Sequence, residues 1–593
     1  MKNKLILSLS HISSKDKKRK IFLNLPNINL LKNDKNQIYF YNDRWKYSKN
    51  IITDFKYINK VYEINLSILV KFLNTFHKVN LPKKYWRIII GDWLYTFTCI
   101  IFERWQSLKK INLKFKKINL EIFNYDVSNY IPYGNEDFKR FITTNEWNTY
   151  IYYEIIKNYN FKNIDKKFKK KYLIIKNLNE IYRRLTLRNN NYKNKILSNF
   201  QHTLLKINHK NDYFVFDTYL SNFQEMTLNF KLNKNLNFFK SLKFDDLYPH
   251  LIKSEKKLSN KRNYLLKHSK SKFENFLLKL TLQNIPKTYL EYFNLTEEIL
   301  NKYYLPNNPK IIFTTLGINR STLMDRYIAS KIIDKSKLIL GQHGGNYGQN
   351  QSHWSSIHED KISENLLSWG VKLSKKTIPI GIIKTLNKNK YNKKNKLILF
   401  ETRSRNIYSH KFKIDISAIN SKIYMENLNS FFSKIKDQRI MNNLRVKNHP
   451  YNYGWYEKKF FLKGNNKLRF IDPARKTTNL YKHSKLIIHS NPSTGHLECM
   501  ALNIPMLLFC FNDFNLFTND TKKYFIKFKK LGIIHDNPDS LYNKLNEIYD
   551  DPSIWWFSDE VQSIRKEYVD KFAILNNHLI NDIAKNLNLI KTK

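Results

Sequence analysis

The stretch Leu338–Gly348, LILGQHGGNYG, predicts both the class of fold and the position of a ligand-binding site. The whole chain of 593 residues has only 13 glycines, and four of them lie in this stretch: Gly341, Gly344, Gly345 and Gly348. Glycine is required where the backbone takes a positive φ or comes close to a ligand. The apolar run before the glycines predicts a strand that opens into a tight loop, as at the ligand-binding edge of an open α/β sheet.

His343 is the first candidate catalytic residue, because it lies in this loop among backbone N–H groups that can hold an anion or a sugar. We group the rest of the loop as an acceptor-side loop, consisting of Gln342, Gly344, Gly345 and Tyr347. The alternative is that the glycines form only a sharp turn and that His343 is a satisfied core imidazole.

Strand and helix patterns alternate from about Lys310 onward. Short apolar runs at Ile311–Thr315, Leu338–Leu340 and Leu397–Phe400 are separated by segments of helical length such as Ser321–Ile333. Strands alternating with helices predict parallel βαβ units and an α/β fold. The lysine- and asparagine-rich connection Lys384–Lys396 predicts a domain boundary near residue 390.

Two strand ends in the C-terminal half carry chemistry. Leu444–Val446 is followed by His449, and Pro450 fixes the backbone so that His449 points away from the strand end. A second strand, Lys485–His489, precedes SNPSTGHLE, in which a helix begins. Hydroxyls and unpaired N–H groups at a helix start form a phosphate site, and the candidates here are Ser490, Ser493, Thr494 and Gly495. The alternative is an ordinary Ser/Thr helix cap.

Two further predictions concern the surroundings of this site. Glu498 follows one turn into the helix, where it can accept hydrogen bonds from a ribose. Asp472-Pro473 is typical of a helix start, and we predict a helix from there to Ser484.

Composition excludes several classes. Three cysteines in no metal-ligand spacing indicate a reducing, cytoplasmic setting and no zinc. The apolar run Leu5–Leu9 is too short for a signal peptide and predicts a first strand, and Ile88–Phe102, with Asp92 inside it, predicts a buried helix. No Walker loop or Gly-x-Gly-x-x-Gly occurs, which argues against an NTPase or a dehydrogenase.

The net charge of +55 is spread along the chain with abundant Asn, Ile, Tyr and Phe. This distribution argues against a specific nucleic-acid partner, which requires clustered basic residues. Local runs such as Asp165–Lys171 still favour peripheral contact with an anionic membrane surface, at the inner face of the membrane. A solvated face is the alternative.

Several motifs together resemble a family of transferases from bacterial surface-polysaccharide (O-antigen-type) gene clusters. They are YWRIIIGDWL near residue 85, QHGGNYG, Trp369-Gly370, RVKNHPYNYGW, STGHLECMALNIPMLLF and Ile554–Trp556. More distantly, three features resemble motifs of the GT-B glycosyltransferases that use CMP-sugars, namely the bacterial sialyltransferases and capsule Kdo transferases. These features are the His449-Pro450 step, the Ser/Thr loop Ser490–Gly495, and Glu498.

The resemblance implies two Rossmann-like domains that face each other across a cleft. Residues 1–385 are then the acceptor-side domain with helical insertions, 390–560 the nucleotide-binding domain and 561–593 a helical tail. It implies that His449 and Ser493 or Thr494 contact the donor phosphate, that Glu498 contacts the ribose, and that His343 faces the acceptor. The acidic motif that supplies a general base in the sialyltransferases has no match here.

The chemistry of glycosyl transfer requires a base for the acceptor hydroxyl and a cradle for the leaving phosphate. The base is His343, Asp217 or Asp325, and the cradle includes His449, Arg403 and Arg405. No Asp-x-Asp occurs in the chain, so we expect no metal and no cofactor, with a nucleotide-sugar as substrate and a glycan or lipid-linked glycan as acceptor. The alternatives are a CDP-polyol phosphotransferase of the same fold and a non-catalytic, basic polyanion-binding protein.

Overall fold

Three parallel five-stranded sheets carry the fold in the computed structural model. The structure describes residues 3–7, 19–24, 37–172, 210–235, 239, 241–242, 244–254, 257–263, 272–386, 391–403, 418–449 and 455–592. The predicted α/β class with parallel sheets is confirmed.

Each sheet is built from consecutive strands of the chain. Sheet 1 contains β1 (Asn3–Ile6), β2 (Arg19–Leu23), β3 (Gln37–Phe40), β4 (Ile118–Asn124) and β5 (Ile164–Tyr172), in the order β3-β2-β1-β4-β5. Sheet 2 contains β6 (Tyr213–Val215), β7 (Ile311–Thr314), β8 (Lys337–Gly341), β9 (Asn365–Ser368) and β10 (Thr377–Pro379), in the order β10-β9-β8-β7-β6. Sheet 3 contains β11 (Leu397–Glu401), β12 (Leu444–Lys447), β13 (Ser484–His489), β14 (Met506–Phe509) and β15 (Ile534–His535), in the order β12-β11-β13-β14-β15.

Helices connect and cover these sheets. Those that precede sheet 2 or lie beside it are α1 (Ser48–His77), α2 (Lys83–Lys114), α3 (Asn135–Phe141), α4 (Asn145–Asn158), α5 (Asn222–Asn233), α6 (Phe244–Lys253), α7 (Lys272–Asn284), α8 (Phe293–Leu300), α9 (Thr322–Ile333) and α10 (Trp354–Ile362). Those that follow β11 are α11 (Ala418–Lys434), α12 (Gln438–Asn443), α13 (Glu457–Gly464), α14 (Thr478–Tyr481), α15 (Thr494–Leu502), α16 (Asn519–Lys530), α17 (Pro538–Ile548), α18 (Pro552–Trp556), α19 (Asp559–Phe572) and α20 (Leu579–Thr592).

The N-terminal enlargement contains a sheet of its own in addition to helices. Of the first strand predicted at Leu5–Leu9, Leu5 and Ile6 belong to β1, and Ser8 and Leu9 lie outside the described residues. Of the strand predicted at Tyr213–Phe216, β6 contains Tyr213–Val215. The predicted helix Ile88–Phe102 lies inside α2, and all of these residues are buried. Within the described ranges, no helix combines the length and apolarity that a membrane crossing requires.

The predicted boundary near residue 390 falls between β10, the last strand of sheet 2, and β11, the first of sheet 3. Residues 1–385 thus include two sheets. The tail beyond residue 561 returns to sheet 2, where Ile574 N donates to the carbonyl of Trp369 (2.8 Å) and Ile382 N donates to the carbonyl of Ile574 (2.9 Å). The division into domains stays a prediction.

Four strand ends matter for the site. β8 ends at Gly341 in sheet 2, and β11, β12 and β13 end at Glu401, Lys447 and His489 in sheet 3. Since ligands bind at the carboxyl ends of parallel strands, the loops after these four residues are where a site is expected.

Candidate active site

A cleft of about 1000 Å³ lies where these loops meet. Most of the predicted site residues line it: His343, Gly344, Gly345, Tyr347, Arg403, His449, Ser490, Ser493, Thr494, Gly495 and Glu498. Arg405 lies outside the described residues. The two motifs that we predicted from glycine and from Ser/Thr patterns therefore share one cavity.

Gln342 is the exception within the acceptor-side loop, because it does not line the cleft. It is 1 % exposed, its Nε2 donates to the carbonyl of Gly344 (2.8 Å) and its Oε1 accepts from the backbone of Trp369 (2.9 Å). Gln342 thus joins the loop to the end of β9, and it stabilises the loop from within the protein.

The glycines of this loop allow the backbone to turn sharply and also allow it to come close to a neighbouring helix. Asn346 and Gly348 have positive φ values of 75° and 67°. Gly345 lies against the start of α15, where a Cβ would come within 2.9 Å of the carbonyl carbon of Ser493. Its N–H donates to Oγ1 of Thr494 at 3.0 Å. The loop after β8 and the Ser/Thr loop are therefore in direct contact.

His343 is held on one side by a buried pair that the sequence analysis missed. Its Nδ1 lies 2.7 Å from the hydroxyl of Tyr347 and 3.3 Å from Oε1 of Glu359 on α10. The Tyr347 hydroxyl donates to Oε2 of Glu359 at 2.7 Å. The His343 side chain is 32 % exposed, so the imidazole is accessible while Nδ1 is oriented.

Burial raises the pKa of Glu359 to about 8; the hydrogen bond from Tyr347 lowers it, and the nearby charge of Asp92 raises it further. A carboxyl that titrates near neutral pH next to a histidine is typical of acid–base sites. Glu359 lies on α10, 12 residues after Tyr347. This spacing matches no motif, so the sequence alone does not identify Glu359 as a site residue.

The opposite wall begins at the N-terminus of α15. Ser493 is the N-cap residue, and its side chain makes no capping hydrogen bond. His449 is exposed at the end of β12, and Nη1 of Arg403 donates to Oδ1 of Asn491 at 2.8 Å. A helix N-terminus with an arginine and a histidine beside it suits an anionic phosphate.

The hydroxyl of Ser490 already makes hydrogen bonds within the protein. Its hydroxyl donates to the carbonyl of Glu401 at 2.8 Å and lies 2.6 Å from the hydroxyl of Tyr424. It therefore joins the ends of β11 and β13, although it also borders the cleft.

A contact between a histidine and a carboxylate beneath the Ser/Thr loop was not predicted. Nδ1 of His489 lies 2.9 Å from Oε2 of Glu401, and both residues border the cleft. Burial raises the pKa of Glu401, but hydrogen bonds with His489 and Thr477 lower this pKa by more, so its net shift is downward. Gly495 covers this pair, and a Cβ there would come within 2.6 Å of His489 Cε1.

Glu498, the predicted ribose contact, is 2 % exposed and has partners of its own. Its Oε1 accepts from Lys384 Nζ and its Oε2 accepts from the hydroxyl of Tyr481 at 3.4 Å. Burial raises its pKa, and Lys384 opposes this. Both oxygens of Glu498 therefore have partners within the protein.

The two carboxylates that we considered as alternative bases lie elsewhere. Asp325 is buried on α9 and accepts from the backbone of Asn319 at 2.8 Å. Asp217 follows β6, where its carbonyl accepts from Leu316 at 2.9 Å. Neither borders the cleft, which leaves His343 as the predicted base that does. In the part of the chain described here, no three His, Cys, Asp or Glu side chains form a metal-binding group.

Comparison with known proteins gives one strong match. The profile of a family described as LIC12162 family transferase matches residues 9–587, nearly the whole chain. No curated protein matches the chain.

The solved structures that match this chain include MurG of Acinetobacter baumannii, with 9% identity over 64% of this chain and 99% of that chain and a TM-score of 0.32. The spinosyn rhamnosyltransferase SpnG in complex with spinosyn aglycone has 10% identity over 64% of this chain and 100% of that chain, with a TM-score of 0.31. The wall teichoic acid polymerase TagF has 11% identity over 69% and 97%, with a TM-score of 0.33.

Proposed function

Because the chain belongs to the LIC12162 family of transferases, we propose that it is a glycosyltransferase that uses a nucleotide-sugar donor and no metal ion. One observation carries the proposal: an oriented histidine and the N-terminus of α15 border the same cleft, with Gly345 and Thr494 in contact between them. A transferase of this kind needs a base and an anion cradle within reach of one substrate pair.

In the proposed reaction, the acceptor hydroxyl attacks the anomeric carbon of the donor sugar and gives its proton to Nε2 of His343. The bond from the anomeric carbon to the donor phosphate oxygen breaks, and its electron pair stays on that oxygen. His449, Arg403 and the first N–H groups of α15 stabilise the charge that develops there. The Tyr347–Glu359 pair contacts Nδ1 of His343, and we therefore assign the proton transfer to Nε2.

The donor that we favour is a CMP-activated sugar, and the acceptor is a surface polysaccharide or lipopolysaccharide precursor. Both follow from the resemblance of the His-Pro and Ser/Thr motifs to transferases that use CMP-sugars and from the surface-polysaccharide motifs. The polar walls of the cleft suit these substrates, because hydroxyl, amide, carboxylate and basic side chains all face it.

We place the protein in the cytoplasm, peripherally at the inner face of the membrane. β5 is the edge strand of sheet 1, and Lys167, Lys169 and Lys170 are exposed on it beside Phe168, which is 64 % exposed. Lysines that flank an exposed aromatic ring favour a surface of anionic lipid.

The test is a transfer assay with the full-length chain, a panel of nucleotide-sugars and lipid-linked glycan acceptors. A new glycosidic bond in the product supports the proposal. A phosphodiester product would identify a CDP-polyol phosphotransferase instead. No turnover, together with salt-sensitive polyanion binding that survives replacement of His343 and His449, would identify the non-catalytic alternative.

A further inference from the structure

A second cavity, which we call the side cavity, adjoins the cleft. Its volume is about 630 Å³, and His449 borders both spaces. The residues that matter for its chemistry are Asn448, His449, Leu462, Phe470, Ile471 and Asp472. Asn448 and His449 directly follow β12, so the side cavity lies at the same carboxyl edge of sheet 3 as the cleft.

The walls of the side cavity combine apolar side chains with the acidic Glu457 and Asp472 and the basic Lys458 and Lys459. Leu462, Phe470 and Ile471 are half-buried, and Lys458 Nζ lies 5.5 Å from the ring centroid of Phe470. Asp472 is exposed, and its Oδ1 accepts from the backbone of Ala474 at 2.9 Å. A carboxylate has about four acceptor positions in total. Asp472 therefore retains acceptor capacity for hydroxyl groups of a ligand.

Among the described residues that line the cleft on its sheet 3 side, no carboxylate is as exposed as that of Asp472. Glu498 is buried and bonded to Lys384 and Tyr481, and Glu401 is bonded to His489. A ribose hydroxyl reaches neither carboxylate as readily as the exposed Asp472, because Glu498 is 2 % exposed and Glu401 is half-buried. At Asp472 it does not displace a side chain that the described residues provide.

We propose that the side cavity binds the nucleoside part of the donor. The base packs against Phe470, Ile471 and Leu462, and the ribose hydroxyls donate to Asp472. The phosphate then passes His449 into the cleft, where the start of α15 receives it. This inference rests on the proposed function, since it assumes a nucleotide-activated donor, and it replaces Glu498 by Asp472 as the ribose contact.

Isothermal titration of the full-length chain with CMP, CDP, UDP and GDP, and with inorganic pyrophosphate, tests the proposal. We expect Asp472→Asn to weaken binding of the preferred nucleotide by about 10- to 100-fold, the range of a lost charged hydrogen bond. Pyrophosphate affinity should not change, because pyrophosphate contacts only the cleft. The 2′,3′-dideoxy form of the nucleotide should bind the parent more weakly, and Asp472→Asn should add little to that loss.

Asp437→Asn is the matched control, since Oδ1 of Asp437 accepts from the backbone of Arg439 at 2.7 Å in the same way and lies in neither cavity. Unchanged nucleotide affinity in Asp472→Asn, with a large loss in Glu498→Gln, would overturn the side-cavity assignment and leave the proposed function intact. If none of the nucleotides binds the parent chain, the proposed function fails and this inference fails with it.

Discussion

The backbone N–H of Gly345 donates a hydrogen bond to Oγ1 of Thr494 across 3.0 Å, although the two residues are 149 positions apart. Gly345 belongs to the loop after sheet 2, and Thr494 is the first residue of α15 beside sheet 3. The bond therefore joins the predicted base loop to the predicted phosphate loop. Its geometry depends on a residue without Cβ at position 345.

Gly345→Ala should separate the two loops. The added Cβ would lie 2.9 Å from the carbonyl carbon and 3.0 Å from the carbonyl oxygen of Ser493, and backbone atoms cannot rotate away. We expect a loss of about 1–3 kcal/mol in unfolding free energy, as for other overpacked contacts, and reduced turnover. Gly344→Ala is the control, because its Cβ would meet only the Thr494 side-chain oxygen at 3.1 Å. Equal melting temperatures for the two variants would contradict this account.

The contact between the loops could be predicted only in part. The density of glycines identifies one loop, and the Ser/Thr residues at a strand end identify the other. Both patterns can be recognised in the sequence because each lies within a short stretch of it. Glu401 and His489 end their strands and had the same local signal. Glu359 had none, since its role arises from the packing of α10 against the loop.

The segment after Asp472 shows where a local rule fails. The predicted helix from Asp472 to Ser484 is wrong, since the helix in this region is α14, Thr478–Tyr481. The Asp472 side chain instead closes a turn onto Ala474. Asp before Pro is compatible with either outcome, and tertiary contacts decide between them. The turn is what leaves Asp472 at the mouth of the side cavity.

Replacement of His343 and replacement of His449 should have different effects on binding and turnover. His449→Ala should weaken nucleotide and pyrophosphate binding, because the proposal places His449 at the donor phosphate. His343→Ala should leave nucleotide affinity nearly unchanged and lower turnover by about 10²- to 10⁴-fold, the typical loss for an acid–base group. Affinity, turnover and melting temperature are to be measured on both variants. A parallel fall of all three in both would indicate packing roles instead.

Turnover should persist in excess EDTA. The proposed cradle neutralises the leaving phosphate with Arg403, His449 and the N–H groups of α15, so no divalent ion is required. The measurement compares initial rates with and without chelator after dialysis. Loss of activity that Mg²⁺ or Mn²⁺ restores would show that a metal ion carries part of this charge.

Anionic vesicles should bind the chain through β5. Lys167→Glu/Lys170→Glu should weaken binding to phosphatidylcholine vesicles that contain phosphatidylglycerol, since each basic residue contributes about 1 kcal/mol near such a surface. Lys56→Glu/Lys60→Glu on α1 changes the net charge equally and serves as control, because both lysines are exposed on another element. Equal loss in the two variants would indicate an effect of net charge alone.

Glu359 should set the pH dependence of both activity and stability. Above pH 8 the ionised carboxylate accepts from Tyr347, which can then accept from Nδ1–H of His343 and leave Nε2 as the base. Below pH 8 the neutral carboxyl can donate to Tyr347, and this reverses the chain of hydrogen bonds. We therefore expect kcat/KM of the parent to rise through pH 8, and Glu359→Gln to remove that rise.

Stability should change in the opposite direction. The pKa of Glu359 rises from 4.5 to about 8 on folding, so the folded state holds the proton more tightly between these values. The unfolding free energy of the parent then falls as pH increases through this window, by at most ~1.4 kcal/mol per pH unit from this group. In denaturant titrations across the window, the parent should lose stability relative to Glu359→Gln as pH rises, because only the parent has a group that ionises there. Glu364→Gln, which changes an exposed residue just after α10, should follow the parent in both measurements. If the rate profile of Glu359→Gln keeps its rise at pH 8, the group that titrates is not Glu359, and the Tyr347–Glu359 pair only fills the space behind His343.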